Sequence, residues 1–189
     1  KIIDFPYVID VSRMLAETPD IQLSDCKTDI KKNRLIITFS GRMIPRKGLE
    51  TLLLVLPRLK TLEREWVLWI EGDGPEFIRF QSLARELDML DKCRFLGFCQ
   101  YNNHSWLMSN SDIVVVPSIE DSWGIIVDEG LQLGKLVISS DAVGSGVDRV
   151  HSGVNGYLYP AGSVEILGDL LLKVVEDDSL RQSIADAAV

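Results

Sequence analysis

The sequence predicts an α/β fold, one parallel sheet of about six strands with helices on both faces. Short runs rich in apolar residues recur at 35–40, 66–70, 94–96, 112–116, 136–140 and 157–159, and the longer ones read as strands buried on both faces. Segments with helical spacing and stop signals lie between them. Strand and helix alternate along the whole chain, the pattern of a parallel sheet with right-handed crossovers.

Taken in order, residues 1–34 read as an irregular lead-in segment to a domain that spans 35–189. Phe5-Pro6-Tyr7 breaks any regular element, 18–32 is polar around Pro19, and only a short helix near 12–16 is suggested. Residues 35–40 are the first clear strand. A loop over 41–48 follows, then a helix from Leu49 to about Leu62 that Pro57 should kink or break. After the strand at 66–70 and the turn Glu71-Gly72-Asp73-Gly74, Pro75 is placed to open a helix running to about Met89. A short helix at 101–110 precedes the fourth strand. Residues 125–133 have helical spacing with Gly134 as a stop. Gly144-Ser145-Gly146 interrupts the chain before a helical piece near 147–151, and helices at 164–175 and 179–188 close it. No internal repeat or low-complexity tract is visible.

The chain of 189 residues suits a single domain with a sizeable core. No apolar run approaches the ~18 residues of a membrane span, and the start does not read as a signal peptide. Cys26, Cys93 and Cys99 are odd in number and form no C-x-x-C pair, which points to reduced thiols in the cytoplasm. The net charge of −8 argues against a nucleic-acid partner. Yet residues 31–64 hold nine basic residues against two acidic ones. A basic cluster in an acidic chain suits one small anionic ligand; Arg58, Lys60 and Arg64 read instead as a solvated helix face.

The stretch Pro117-Ser118-Ile119-Glu120-Asp121-Ser122-Trp123-Gly124 sits where the fourth strand hands over to a helix. Open α/β sheets bind ligands at this end of their strands, and a helix N-terminus there offers unpaired N–H groups to an anion. Asp121 and Glu129 flank that terminus; on one helix they would stand about 12 Å apart. The better placement has Asp121 in the loop and Glu129 on the helix, both able to take sugar hydroxyls. Arg42 and Lys47, bracketed by Gly41 and Gly48, would suit a diphosphate through a bidentate guanidinium and a compact ammonium. An ordinary exposed basic loop explains the same spacing. Gly72-Asp73-Gly74-Pro75 lacks a full G-x-G-x-x-G and reads as a tight turn rather than a phosphate cradle. Cys93, Cys99 and His104 have no second ligand pair, so packing thiols and a surface histidine are expected rather than a metal site. Trp123 would either stack on a ligand ring or wedge the loop.

At these residues the chain resembles the C-terminal, nucleotide-sugar-binding lobe of the retaining family 4 glycosyltransferases, which have the two-lobed GT-B fold with Rossmann-like domains. The likeness runs from about Ile2 to Ala188. Gly41-Arg42 through Lys47-Gly48 looks like the family's G-R-x(4)-K-G loop, and Gly72-Asp73-Gly74-Pro75 like its G-x-G-P turn. Phe95-Leu96-Gly97 looks like its F-L-G strand end, and Pro117-Ser118 through Glu129 like its P-S-x-E-x-x-G and E-x7-E signature. The resemblance implies that Arg42 and Lys47 bind the donor diphosphate, Glu129 the ribose hydroxyls and Asp121 the transferred sugar. It implies further that backbone N–H groups of Gly124, Ile125 and Ile126 meet phosphate or sugar oxygens, with Gly41, Gly74 and Trp123 also in the donor site, and that backbone near Arg94, Phe95 and Leu96 meets the base. No metal or other cofactor is implied. The partners implied are a nucleoside-diphosphate sugar and a saccharide or lipid-linked acceptor held by an N-terminal lobe, with cytoplasmic placement and peripheral contact at the inner membrane face.

The chain departs from the family where the first acid of E-x7-E is Asp121, with Glu120 beside it as an alternative. The G-x-P-V pattern is here Gly134-Lys135-Leu136-Val137. The acceptor lobe is absent, which suggests an excised fragment that binds its donor but does not turn over. A non-catalytic nucleotide-sugar-binding module is the alternative. A dinucleotide-dependent oxidoreductase fails, because 41–48 supplies no G-x-G-x-x-G.

Overall fold

The structure, a computed structural model, describes residues 10–16 and 23–188. Among these, six strands form one sheet in the order β3-β2-β1-β4-β5-β6: β1 (Leu35–Ser40), β2 (Trp66–Glu71), β3 (Cys93–Gly97), β4 (Ile113–Val116), β5 (Leu136–Ser140) and β6 (Gly156–Tyr159). Every neighbouring pair is parallel, giving the Rossmann-like sheet that the alternation predicts. The chain winds outward from β1 through β2 to β3, then returns to β4 on the other side of β1 and winds outward again. The winding thus reverses between β1 and β4, and the carboxyl ends of these two strands mark the switch point, the usual ligand position in such sheets.

The two-residue period of the strands divides the core. Ile37, Leu68, Ile113 and Ile138 face one side, where α3 (Leu49–Val55), α4 (Phe77–Glu86) and α8 (Val164–Glu176) pack Leu52, Leu53, Phe80, Leu167 and Leu171 against them. Val114 and Val137 face the other side, under α6 (Ile125–Gln132), with Val127, Leu131 and Met108. Ile36, Val67 and Trp69 share that face beneath α2 (Ser24–Lys31) and α5 (Tyr101–Ser109), where Trp69 stacks on Trp106. With β1, β2, β4 and β5 buried almost throughout, neither sheet face is left to solvent, as their near-continuous apolar sequence requires.

Several elements differ from the sequence reading. The stretch expected to be irregular contains α2, whose buried residues are Cys26 and Asp29; a helix that buries so little apolar surface has no hydrophobic period to read. Met14 in α1 (Val11–Ala16), Leu23 and Cys26 are buried in the clusters on the sheet, so the described part of 1–34 packs on the lobe. The breaks expected at Phe5-Pro6-Tyr7 and Pro19 lie outside the described residues. The helix expected to reach Leu62 ends at Val55 and continues as a 3-10 turn, Leu56–Thr61, at Pro57. α4 begins at Phe77 rather than Pro75, with the Glu76 N–H donated to the Met43 carbonyl of the preceding loop (3.1 Å). Gly144 opens a helix, α7 (Gly144–Arg149), instead of interrupting one. A Cβ on Gly144 would meet the Ser122 carbonyl oxygen at 2.3 Å, so the glycine serves close packing rather than chain breaking. α9 (Asp178–Asp186) completes the described fold.

Candidate functional site

The crevice is built by two loops that lock together. Gly48 has φ +70°, and a Cβ there would lie 1.8 Å from the Pro117 carbonyl oxygen; only glycine accepts both the left-handed backbone and the approach. The Ile119 N–H donates to the Arg46 carbonyl at 2.7 Å. A 3-10 turn, Pro45–Lys47, then directs the Lys47 side chain across the crevice, where Nζ donates to Asp121 Oδ2 at 2.5 Å. Asp121 is itself fixed, since its N–H donates to Ala142 O and its carbonyl accepts from Gly144 N, both at 3.1 Å. Arg42 is exposed and pairs with no carboxylate among the described residues. Together Gly41, Arg42, Lys47, Asp121, Gly124, Ile125 and Ile126 line a cleft of about 200 Å³.

α6 begins at the far wall of this cleft. Its N-cap, Gly124, has φ +80°, and no side chain caps the helix. A Cβ on Gly124 would come within 2.4 Å of Val143 Cγ1, so the tight approach of the turn that leads into α7 requires glycine here. Uncapped N–H groups and the positive end of the helix dipole thus face the same space as Lys47 and Arg42. Two cations and a helix terminus converging on one small cleft suit an anion by charge and hydrogen-bond donors.

Glu129, one turn into α6, is buried and leads to a second cluster. Its Oε2 lies 3.0 Å from His104 Nε2, and His104 Nδ1 lies 2.7 Å from Glu71 Oε2 at the end of β2. His104 is therefore not the surface histidine that the sequence suggested. Its side chain is 13% exposed and bridges two carboxylates. Burial alone would lower its pKa, but hydrogen bonds to Glu129 and Glu71 outweigh that and raise it from 6.5 to about 10. Glu71 also lines an open, apolar hollow of about 430 Å³ with Arg42, Gly72, Asp73 and Phe98. Phe98 is 71% exposed at this rim. The sequence reading passed over Phe98, Glu71 and the role of His104; an aromatic directly after Phe95-Leu96-Gly97 was the available signal for the first, and nothing local signals the other two.

Other predicted residues lie elsewhere. Gly74 is outside the cleft: its φ is +155°, and a Cβ would meet Met43 O at 2.6 Å. With Met43 N donating to Asp73 O at 2.9 Å, this turn buttresses the Arg42 loop from behind. The Arg94 guanidinium is engaged by Asp29, and Phe95 packs edge-on against Phe77. Arg94, Phe95 and Leu96 border a separate cavity of about 380 Å³, which all three cysteines also line. Burial pushes the Cys26 and Cys93 thiols up to about 12 and Cys99 to about 11, so they behave as packing groups. Trp123 does not line the cleft; its indole donates to Asp128 Oδ2 (2.8 Å) and lies under Arg149, the wedge arrangement. Glu120 is exposed and points its carbonyl at Arg46, leaving Asp121 as the acid in the cleft. Among the described residues no trio of His, Cys, Asp or Glu is arranged to hold a metal ion, and no helix is long and apolar enough to cross a membrane.

A parallel sheet with two cations and a helix terminus gathered at its switch point is the arrangement in which open α/β lobes take ligands. Comparison with known proteins makes this specific: residues 20–189 match the family described as Glycosyl transferases group 1, and the chain belongs to it. An uncharacterised glycosyltransferase of Methanocaldococcus jannaschii is 31% identical over 82% of this chain and 39% of its own length. The lipopolysaccharide core biosynthesis glycosyltransferase LpsE of Rhizobium meliloti is 27% identical over 88% of this chain and 47% of its own. The chain thus spans less than half of these relatives. Among solved structures, Anabaena HepE in complex with UDP and glucose superposes with TM-score 0.80 at 24% identity, over 95% of this chain and 49% of HepE. The C-terminal domain of a glycosyl transferase group 1 protein, LpcC of Francisella tularensis, gives TM-score 0.80 at 21% identity, over 96% and 94%. The chain has the architecture of the C-terminal lobe of a GT-B glycosyltransferase.

Proposed function

We propose that this chain is the donor-binding lobe of a retaining, metal-independent glycosyltransferase that moves a sugar from a nucleoside-diphosphate sugar to a saccharide or lipid-linked acceptor. The observation that carries the reading is the convergence of Lys47, Arg42 and the uncapped α6 terminus on one cleft beside Asp121. In this reading the diphosphate takes Lys47 and Arg42, and backbone N–H groups of Gly124, Ile125 and Ile126 meet its oxygens. Lys47 exchanges its carboxylate partner for phosphate, which releases Asp121 to accept hydroxyls of the transferred sugar. Glu129 accepts from the ribose, and the base lies toward Phe98 and the end of β3, with the exposed ring as a stacking face. As the bond from the anomeric carbon to the diphosphate breaks, negative charge grows on the leaving oxygen. Fixed cations and a helix dipole stabilise that charge without a metal. The acceptor and any contact with the cytoplasmic membrane face belong to the rest of the full-length enzyme.

HepE, solved with UDP and glucose, makes UDP the first nucleotide to try. Calorimetric titration with UDP, GDP and ADP, each with Mg²⁺ and with EDTA, tests the reading. Saturable binding of one nucleotide, insensitive to EDTA and strongly weakened in Lys47→Ala, is expected; no binding by any of the three sinks it. A second reading, a non-catalytic nucleotide-sugar-binding module, is favoured by one observation, Asp121 in place of the glutamate of E-x7-E. Sugar transfer by the full-length protein would reject it.

A further inference from the structure

Glu71, His104 and Glu129 reach one point from β2, α5 and α6, far apart in sequence. Both imidazole nitrogens face carboxylate oxygens, Nδ1 at 2.7 Å and Nε2 at 3.0 Å. An ionised carboxylate only accepts, so with both acids charged each ring nitrogen must donate, and the ring is the imidazolium. The three side chains are 13%, 6% and 10% exposed for His104, Glu71 and Glu129. The other titratable and charged groups around it are Cys99, which feels Glu71, Arg42, which lines the same hollow as Glu71, and Asp128, which feels Glu129 and lies 3.8 Å from Arg149 Nε. Among the described residues no arginine or lysine pairs with Glu71 or Glu129, so His104 is the cationic partner of both.

Stability does not demand such a trio, because well-packed apolar residues commonly replace a buried ionic group at no cost. Its distinctive product is orientation. Glu129 Oε2 is consumed by His104, while Oε1 has no hydrogen-bond partner among the described residues and is not buried away from solvent. One oxygen is pinned and the other stays open to solvent. Glu71, closing the far side of the ring, keeps the imidazole from turning.

We propose that His104, held by Glu71, is a positioning residue that fixes the Glu129 carboxylate as the acceptor for ribose hydroxyls of the donor nucleotide. The inference rests on the donor-lobe reading above. It makes His104 and Glu71, rather than Glu129 alone, the determinants of preference for ribo- over deoxyribonucleotides at this site.

The test measures a ratio, which general structural damage would leave unchanged. Wild type, His104→Leu, His104→Gln and Glu71→Gln are titrated calorimetrically with UDP, GDP and ADP. Whichever nucleotide binds is then compared with its 2′,3′-dideoxy form. His104→Leu should weaken the ribonucleotide on the order of 10-fold, the scale of one charge-assisted hydrogen bond, and leave the dideoxy form unchanged. Glu71→Gln should give a smaller change in the same direction and His104→Gln, with a single amide donor, a partial rescue. Equal losses for both nucleotides, or no loss for either, would overturn the positioning role. A second arm needs no ligand. The chain has two histidines, so the ring ¹⁵N signals lost in His104→Gln assign His104; a doubly protonated ring at pH 8 is expected in the wild type, and a neutral one overturns the clamp. A wild type that binds no nucleotide removes the donor reading and the ribose role with it, whereas a neutral ring with normal nucleotide binding removes only the clamp.

Discussion

Two carboxylates in this lobe, Asp29 and Asp121, are both met by cations, and they are built to opposite ends. Asp29 is 1% exposed and accepts four hydrogen bonds: from Arg34, twice from Arg94, and from the Trp69 indole. Burial would raise its pKa, but the bonds from Arg94, Trp69 and Arg34 outweigh that and hold it below the usual carboxylate range. Asp121 has a single cationic partner among the described residues, Lys47, at the edge of an open cleft with exposed Arg42 nearby. The first cluster is saturated and joins α2 to the sheet edge; the second leaves donors and acceptors to spare. Saturated charge clusters hold a fold, and unsaturated ones are available to a ligand. Both look alike in sequence, since the pairings of Asp29 with Arg94 and of Asp121 with Lys47 each span more than sixty residues.

Mutation should separate the two. The largest effect is expected from Asp29→Ala, which leaves two guanidinium groups without their partner. Chemical denaturation should register a loss of about 3 kcal/mol, with nucleotide affinity kept in the folded fraction; a loss below about 1 kcal/mol would make the cluster dispensable. Lys47→Ala should do the reverse. Nucleoside-diphosphate affinity should fall roughly 10- to 100-fold by calorimetry, while stability moves by less than about 1 kcal/mol, as for a partly exposed pair. A large stability loss would show that the Lys47–Asp121 bridge is structural after all.

The third test uses pH. The folded pKa of His104, about 10, lies above its ordinary 6.5. The stability it contributes is therefore full below pH 6.5 and is lost as pH rises from there toward 10. The wild type should lose stability relative to His104→Gln across that window, and parallel curves would contradict the shift. Asp29 runs the other way. Its pKa is lowered, so its contribution is present above pH 3.8 and disappears as pH falls below that value. Asp29→Asn should lack that acid-side loss. The smallest change is expected from Arg42→Ala, whose stability should stay within about 0.5 kcal/mol of wild type. Its nucleotide affinity should drop several-fold at low salt and less at high salt, since an exposed cation is screened.

What the sequence determined by itself is what period and spacing encode. Strands β1, β2, β4 and β5 are continuous apolar runs, and alternation with helical segments leaves few topologies besides a parallel sheet. Two loops rich in glycine and charge at the ends of β1 and β4 already marked Arg42, Lys47 and Asp121, because short-range constraints such as Gly48 and Gly124 show as glycines at fixed offsets. What only the tertiary structure decided are pairings made across the sheet. α2 was invisible because its buried face is Cys26 and Asp29 rather than an apolar stripe. Gly74 serves as a buttress because its turn meets Met43, more than thirty residues back in the chain. His104 gained its charge and its partners from Glu71 and Glu129, each more than twenty residues away. A residue's period reports whether it is buried, but its protonation and hydrogen bonds depend on which distant groups the fold brings within 3 Å, and no local pattern carries that information.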